Sequence, residues 1–146
     1  MNVRSFIAVL SAGVLMLCCK PSSMEFFASE PDGSGRWSFT LDMSDSTSVS
    51  DIYLLLSLGC DDQSFAALKG VPLDMEWVSP DSLLFSEKVW MGTEMLRGRS
   101  DFEKHLYAPY RTGIVPRTKG IWTLHVKPDT GGAADILGVG IKYGSR

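Results

Sequence analysis

Histidine and cysteine are scarce in this chain, at two and three among 146 residues. Neither histidine has a cysteine or carboxylate at zinc-ligand spacing, so no metal site is expected. Three cysteines are too few for a disulfide scaffold. Basic charge is not in excess: 14 Lys and Arg stand against 17 Asp and Glu, for a formal net charge of −3. A nucleic-acid partner, which asks for a basic face, is therefore not expected. No G-x-S-x-G elbow, P-loop or H-E-x-x-H motif occurs, and no apolar run reaches the roughly 20 residues of a membrane-spanning helix. What remains, with 45% hydrophobic and 21% charged residues, is the composition of one ordinary globular domain.

The chain opens on an address. Arg4 is the only charge before Lys20, and an apolar stretch runs between them from Phe6 to Leu17. A short basic start, an apolar centre and a sudden polar switch are the marks of a secretory signal over residues 1–18. The stretch ends in Leu15-Met16-Leu17-Cys18-Cys19, similar to a bacterial lipobox with Cys19 as the acceptor. Cys19 fits better than Cys18, because small Cys18 precedes it whereas bulky Leu17 precedes Cys18. Its thiol would become a diacylglycerol thioether and the new N-terminus would be acylated, several chains anchoring far better than one. Residues 19–35 then read as a lipid-anchored tether, rich in Pro, Ser, Gly and Asp, with Phe26 and Phe27 as points that could dock on the domain. Cys60, the one thiol beyond the anchor, is expected to be buried as a small apolar residue.

From residue 36 to 146 the pattern is period two, the mark of half-buried strands. Trp37, Phe39, Leu41 and Met43 alternate with polar residues, as do Val71, Leu73, Met75 and Trp77, and Trp122, Leu124 and Val126. Ile52, Leu54, Leu56 and Leu58 share one face of a strand whose other face carries Tyr53 and Leu55, so a central strand covered on both sides is expected. Pro72 suggests an edge or a strand start, and Ser79-Pro80-Asp81-Ser82 a turn into a returning strand ending near Trp90. Gly92 to Gly98 reads as loop, and Ser100-Asp101-Phe102-Glu103 as a capping box opening a short helix over 101–107. A short extended piece follows at Gly113 to Val115, and the last strand places Leu137, Val139, Ile141 and Tyr143 on one face. The expected fold is all-β, an antiparallel sandwich of about seven strands with at most one short helix. The expected core includes Leu54, Leu56, Trp122, Leu124 and Val139.

Chemistry-bearing residues are sparse. His125 reads as an exposed histidine and His105 as a residue near a helix end. Asp42, Asp45 and Asp51 flank one turn, and Asp61 and Asp62 sit in another. Their spacing lacks the regularity of a calcium loop, so they read as solvated turns. Gly138-Val139-Gly140 lies inside a strand with no helix after it and reads as close backbone packing, not a phosphate cradle. No catalytic residue and no cofactor is expected. The candidate binding surface runs from Trp90 to Arg111, where the cations Arg97, Arg99, Lys104 and Arg111 gather near Trp90, Tyr107 and Tyr110. Arg and aromatic residues are enriched in protein contacts. A second reading makes Trp90 a stacking ring for a glycan.

The order of motifs from about residue 37 to 143 resembles the gliding-motility lipoprotein H family of the Bacteroidetes. The lipidated start, the turn Ser79-Pro80-Asp81-Ser82, Trp90-x-Gly92, Pro109-Tyr110-Arg111, Gly120-x-Trp122-Thr123 and the closing Ile136-Leu137-Gly138-Val139-Gly140-Ile141-Lys142-Tyr143 carry the likeness. The charged Leu96 to Tyr107 segment and the short Lys127 to Asp135 segment depart from the family pattern. The resemblance implies a non-enzymatic cell-envelope lipoprotein, facing the periplasm or on the outer membrane, that supports a motility or secretion apparatus through a protein partner. It transfers no ligand-binding residue.

Overall fold

The computed structural model describes residues 23–28, 30–45 and 47–145. The signal segment and Cys19 lie outside the described residues. Among the described residues, nine strands form two antiparallel sheets. β1 (Ser23–Ala28), β3 (Ser50–Gly59), β6 (Leu96–Arg99), β7 (Glu103–Ile114) and β9 (Asp135–Ser145) make one sheet in the order β1-β9-β3-β7-β6. β2 (Trp37–Asp42), β4 (Gly70–Val78), β5 (Leu84–Gly92) and β8 (Ile121–Pro128) make the other in the order β2-β8-β4-β5. The fold is the all-β antiparallel sandwich expected from the alternating pattern.

The alternation builds the core directly, because successive side chains of a strand point to opposite faces. Trp37, Phe39 and Leu41 of β2, Val71, Leu73 and Met75 of β4, and Leu124 and Val126 of β8 face the other sheet. Ile52, Leu54, Leu56 and Leu58 of β3 and Val139 and Ile141 of β9 meet them. β3 is the middle strand of its sheet, but only its inner face is fully covered; Tyr53 and Leu55 on the outer face are half-buried. Pro72 is the third residue of β4 and precedes the point where β8 pairing starts, so the missing donor interrupts no ladder on that side.

Four expectations are corrected. The segment 101–107 is not a helix: Glu103 begins the long strand β7, and Ser100 closes a tight hairpin from β6. The capping-type contact exists, with the Glu103 N–H donating to Ser100 Oγ at 3.2 Å, but Ser100 N–H also donates to Glu103 O at 2.7 Å and turns the chain back. His105 consequently sits on β7, exposed, rather than near a helix end. The short helix is instead α1 (Asp62–Ala67), which Asp61 caps by accepting from Ser64 N–H. Residues 92–98 contain a 3-10 turn at Thr93–Met95 and most of β6 rather than plain loop. In β9 the register slips between Ser57 and Leu58, so the extra residue Leu137 bulges outward and Ile136 packs on the core.

β1 lies inside the stretch whose composition reads as tether, and it pairs with β9 along its whole length. Gly138 and Gly140 make room for it. A Cβ on Gly140 would lie 2.7 Å from Phe26 O, and one on Gly138 would strike the Phe27 ring. These two glycines are therefore close-packing positions.

The connections define two poles. At the N-terminal pole lie the start of β1, the end of β9 and the connections β2–β3, β4–β5 and β7–β8. Met43 and Gly120 exchange backbone hydrogen bonds there, and Pro80 touches Gly120. The distal pole carries α1, the 3-10 turn and the β6–β7 hairpin.

Candidate functional site

Two surface depressions have the makings of a binding site. One is a groove of about 670 Å³ on the outer face of the five-stranded sheet. Its floor is Leu55 of β3 and Tyr107 of β7, and its walls are Phe27 of β1, Arg97 of β6 and Lys142 of β9. Tyr107 and Tyr53 stack face to face, with centroids 5.2 Å apart and planes 2° apart. Such a pair is locked in place and adds about 1 kcal/mol beyond its buried area. Burial, with Tyr53 and Glu25 nearby, pushes the Tyr107 hydroxyl above its ordinary value, so it stays a neutral donor. Arg97 and Lys142 have no ion-pair partner among the described residues. Phe27 is 57% exposed.

The other is an apolar recess of about 470 Å³ between the sheets, open at the N-terminal pole. Met43, Trp77, Phe85, Ile114, Pro116 and Trp122 line it. Trp122 meets Trp77 edge-on at 6.1 Å and Phe85 at 6.3 Å. The alternation places Trp77 and Trp122 on inward faces, and Trp122 in the expected core; both are half-buried because the recess leaves one side of each ring open. Arg111, Arg117 and Thr118 form the rim.

The candidate residues do not form one surface, and Lys104 is not on the surface at all: its side chain is fully buried, with Nζ held by Ser100 O and Asp62. Arg97 and Tyr107 belong to the groove. Arg99 ends β6 at the distal pole. Trp90 lies on the outer face of the other sheet, 60% exposed, with its ring across Gly70, where a Cβ would stand 2.5 Å from it. No second ring stacks on Trp90 among the described residues. Tyr110 and Arg111 are tied into a network joining the sheets. Arg111 holds both oxygens of Glu87 at 2.7 and 2.8 Å, Tyr110 donates to Glu87, and Trp77 Nε1 donates to Tyr110 at 2.7 Å. Burial and then the Glu87 hydrogen bond push the Tyr110 hydroxyl up to about 12, so it remains a donor at any physiological pH.

The aspartates serve as turn and cap acceptors. Asp42 accepts from Ser44, Asp45 from Thr47, Asp51 from Gly113 N–H, and Asp61 from Ser64 N–H. Asp62 pairs with Lys104 Nζ at 2.9 Å, which pulls its carboxyl below the usual range. His125 Nδ1 lies 2.7 Å from Ser38 Oγ on the outer face of the four-stranded sheet. Cys60 is half-buried, and burial raises its thiol, so little reactive thiolate is present.

Reading the sequence missed both depressions. Tyr53 and Leu55 did stand out as an apolar outer face of β3, but nothing local says that Tyr107 and Phe27 join them. That follows from the register, in which Leu55 pairs with Tyr107 and Phe27 with Gly140.

Comparison with known proteins adds the following. No family model matches the chain, and no curated protein does. Among solved structures, a bacteriophage CBA120 tailspike protein 4 enzymatically active domain aligns at 10% identity and TM-score 0.34 over 84% of this chain and 15% of that one. The dimeric latent PorU of Porphyromonas gingivalis aligns at 10% identity and TM-score 0.35, over 85% of this chain and 13% of that one. A Sulfurospirillum deleyianum protein aligns at 8% identity and TM-score 0.37, over 86% and 98% of the two chains. The chain thus spans under a sixth of the tailspike and PorU chains.

Proposed function

We propose that this chain is a non-enzymatic, lipid-anchored protein of the bacterial cell envelope that acts as a scaffold or interaction module. It holds a protein partner in the groove on the outer face of the five-stranded sheet. The observation that carries this is the composition of that groove: Tyr107, locked by stacking on Tyr53 outside it, and the exposed Phe27, beside Arg97 and Lys142, which have no ion-pair partner among the described residues. Rigid aromatics with an arginine beside them are the usual energetic centre of a protein contact. Glu25, opposite Lys142 in the β1–β9 register, offsets part of that charge, and Arg97 on the other side favours an acidic residue in the partner beside its apolar segment. The signal-like N-terminus and Cys19 support the envelope anchor, and the resemblance to the gliding-motility lipoproteins supports a place beside a motility or secretion apparatus. The glycan reading rests on Trp90 alone, and a sugar platform would ask for a second ring beside it.

A photoreactive amino acid at position 105, in the lining of the groove, tests the partner site in living cells. A discrete protein adduct is expected there and not from position 40 on the outer face of the other sheet. The adduct should disappear in the Arg97→Ala, Tyr107→Ala double variant, provided its melting shows an intact fold. An undiminished adduct in that folded variant contradicts the site.

A further inference from the structure

We propose that the N-terminal pole is a membrane-contact surface, resting on the lipid bilayer to which the chain is anchored. The inference rests on the Cys19 anchor of the proposed function and adds how the domain is held. β1 brings the chain into the sheet at Ser23, so the anchor-to-domain distance is set by the step from residue 19 to residue 23 and not by the whole stretch to residue 35. Four residues span at most about 14 Å whatever their conformation. Ser23 pairs with Gly144 at the end of the sandwich where the apolar recess opens. That end cannot leave the headgroup region, whereas the distal pole stands about 30 Å further out, the length of a ten-residue strand.

The side chains at this pole suit that position. Leu83, Leu84 and Phe85 of the β4–β5 hairpin, and Val115 and Ile121 around the β7–β8 connection, are all at least half exposed. Water-exposed apolar side chains gathered at one end are costly unless something covers them. Trp77 and Trp122 have the amphipathic form suited to a membrane interface, their N–H groups donating to Tyr110 and to Thr118 O. The charges are mixed: the pole carries Arg111, Arg117 and Lys119 together with Asp42, Asp45, Asp51, Asp81 and Glu87. Arg111 is neutralised by Glu87, and the aspartates are engaged in turns. Apolar insertion rather than attraction to anionic lipid therefore holds the pole, and the contact should depend little on salt.

The test uses the full lipoprotein, purified from membranes and reconstituted in vesicles of phosphatidylethanolamine and phosphatidylglycerol with brominated acyl chains. With Cys60→Ala as background, an environment-sensitive fluorophore is attached through Leu84→Cys, Ile121→Cys or, as a control at the distal pole, Phe102→Cys. Leu84, Ile121 and Phe102 are all exposed, so each label should leave the fold intact. The expected result is a blue shift and bromine quenching at positions 84 and 121, unchanged by salt, and neither effect at position 102. Lipid found at Cys19 with all three labels reporting water overturns the membrane contact and leaves the anchor standing. Shielding at 84 and 121 that appears without vesicles and grows with protein concentration assigns the pole to a second copy instead, and also overturns it. Protein that carries no lipid and does not float with vesicles overturns both the contact and the anchor.

Discussion

Leu56→Ala is expected to lower the free energy of unfolding by about 3–5 kcal/mol. Leu56 sits in the middle strand of the five-stranded sheet, between Val139 on β9 and Leu106 on β7, and is 2% exposed. Its partners in the sheet lie on β9 and β7, which are themselves paired on both sides, so the space left by the missing carbons cannot close by collapse, and the cost sits in the upper part of the usual range. Urea denaturation should show a lower midpoint at an unchanged slope. A loss below about 0.5 kcal/mol would place Leu56 at a yielding surface and contradict the packing described here.

The second large effect is expected at Lys104, a lysine with no exposed surface. Its Nζ donates to Ser100 O at 2.6 Å and to Cys60 O and Asp101 O at 3.4 Å, and pairs with Asp62 at 2.9 Å. One ammonium thereby joins the β6–β7 hairpin, the end of β3 and the start of α1. Lys104→Met keeps the apolar stem and removes the donor, leaving the part-buried carbonyls of Ser100, Asp101 and Cys60 without it at a cost of about 1–3 kcal/mol. Asp62 is 70% exposed, and its pair is worth little in water. Asp62→Ala should therefore cost much less than Lys104→Met. Chemical denaturation of the two variants side by side decides it. Equal losses would mean that the ion pair, not the carbonyl cage, carries the stability.

Lys104 also explains what was hard to read from the sequence. β7 alternates as Lys104, Leu106, Ala108 and Tyr110 facing inward, but a charged residue at the first inward position breaks the pattern. Ser100 and Glu103 then imitate a helix start, since the same side-chain contact serves a helix cap and a hairpin turn. β6 hid for a related reason: Arg97-Gly98-Arg99 has no strand preference of its own and is held by pairing with β7. β1 was masked by turn-forming neighbours, although Phe26 and Phe27 marked the place where it docks. By contrast, β2, β4 and β8 carry unbroken alternation, and their inward residues follow it directly. The candidate surface was half legible. Tyr110 and Arg111 have the composition of a contact but are spent on Glu87 and Trp77, a long-range network that spacing cannot show. Arg97 and Tyr107 find their neighbours only through the register of five strands.

The anchor is the step on which the envelope role and the membrane-facing pole both depend. The most direct measurement is the intact mass, with fragmentation of the N-terminal peptide, of the protein isolated from its host's membranes. A chain that begins at Cys19 and carries a diacylglycerol thioether with an acylated amino group is the expected result. A chain that begins elsewhere, or that begins at Cys19 with a free thiol and a free amine, would contradict it.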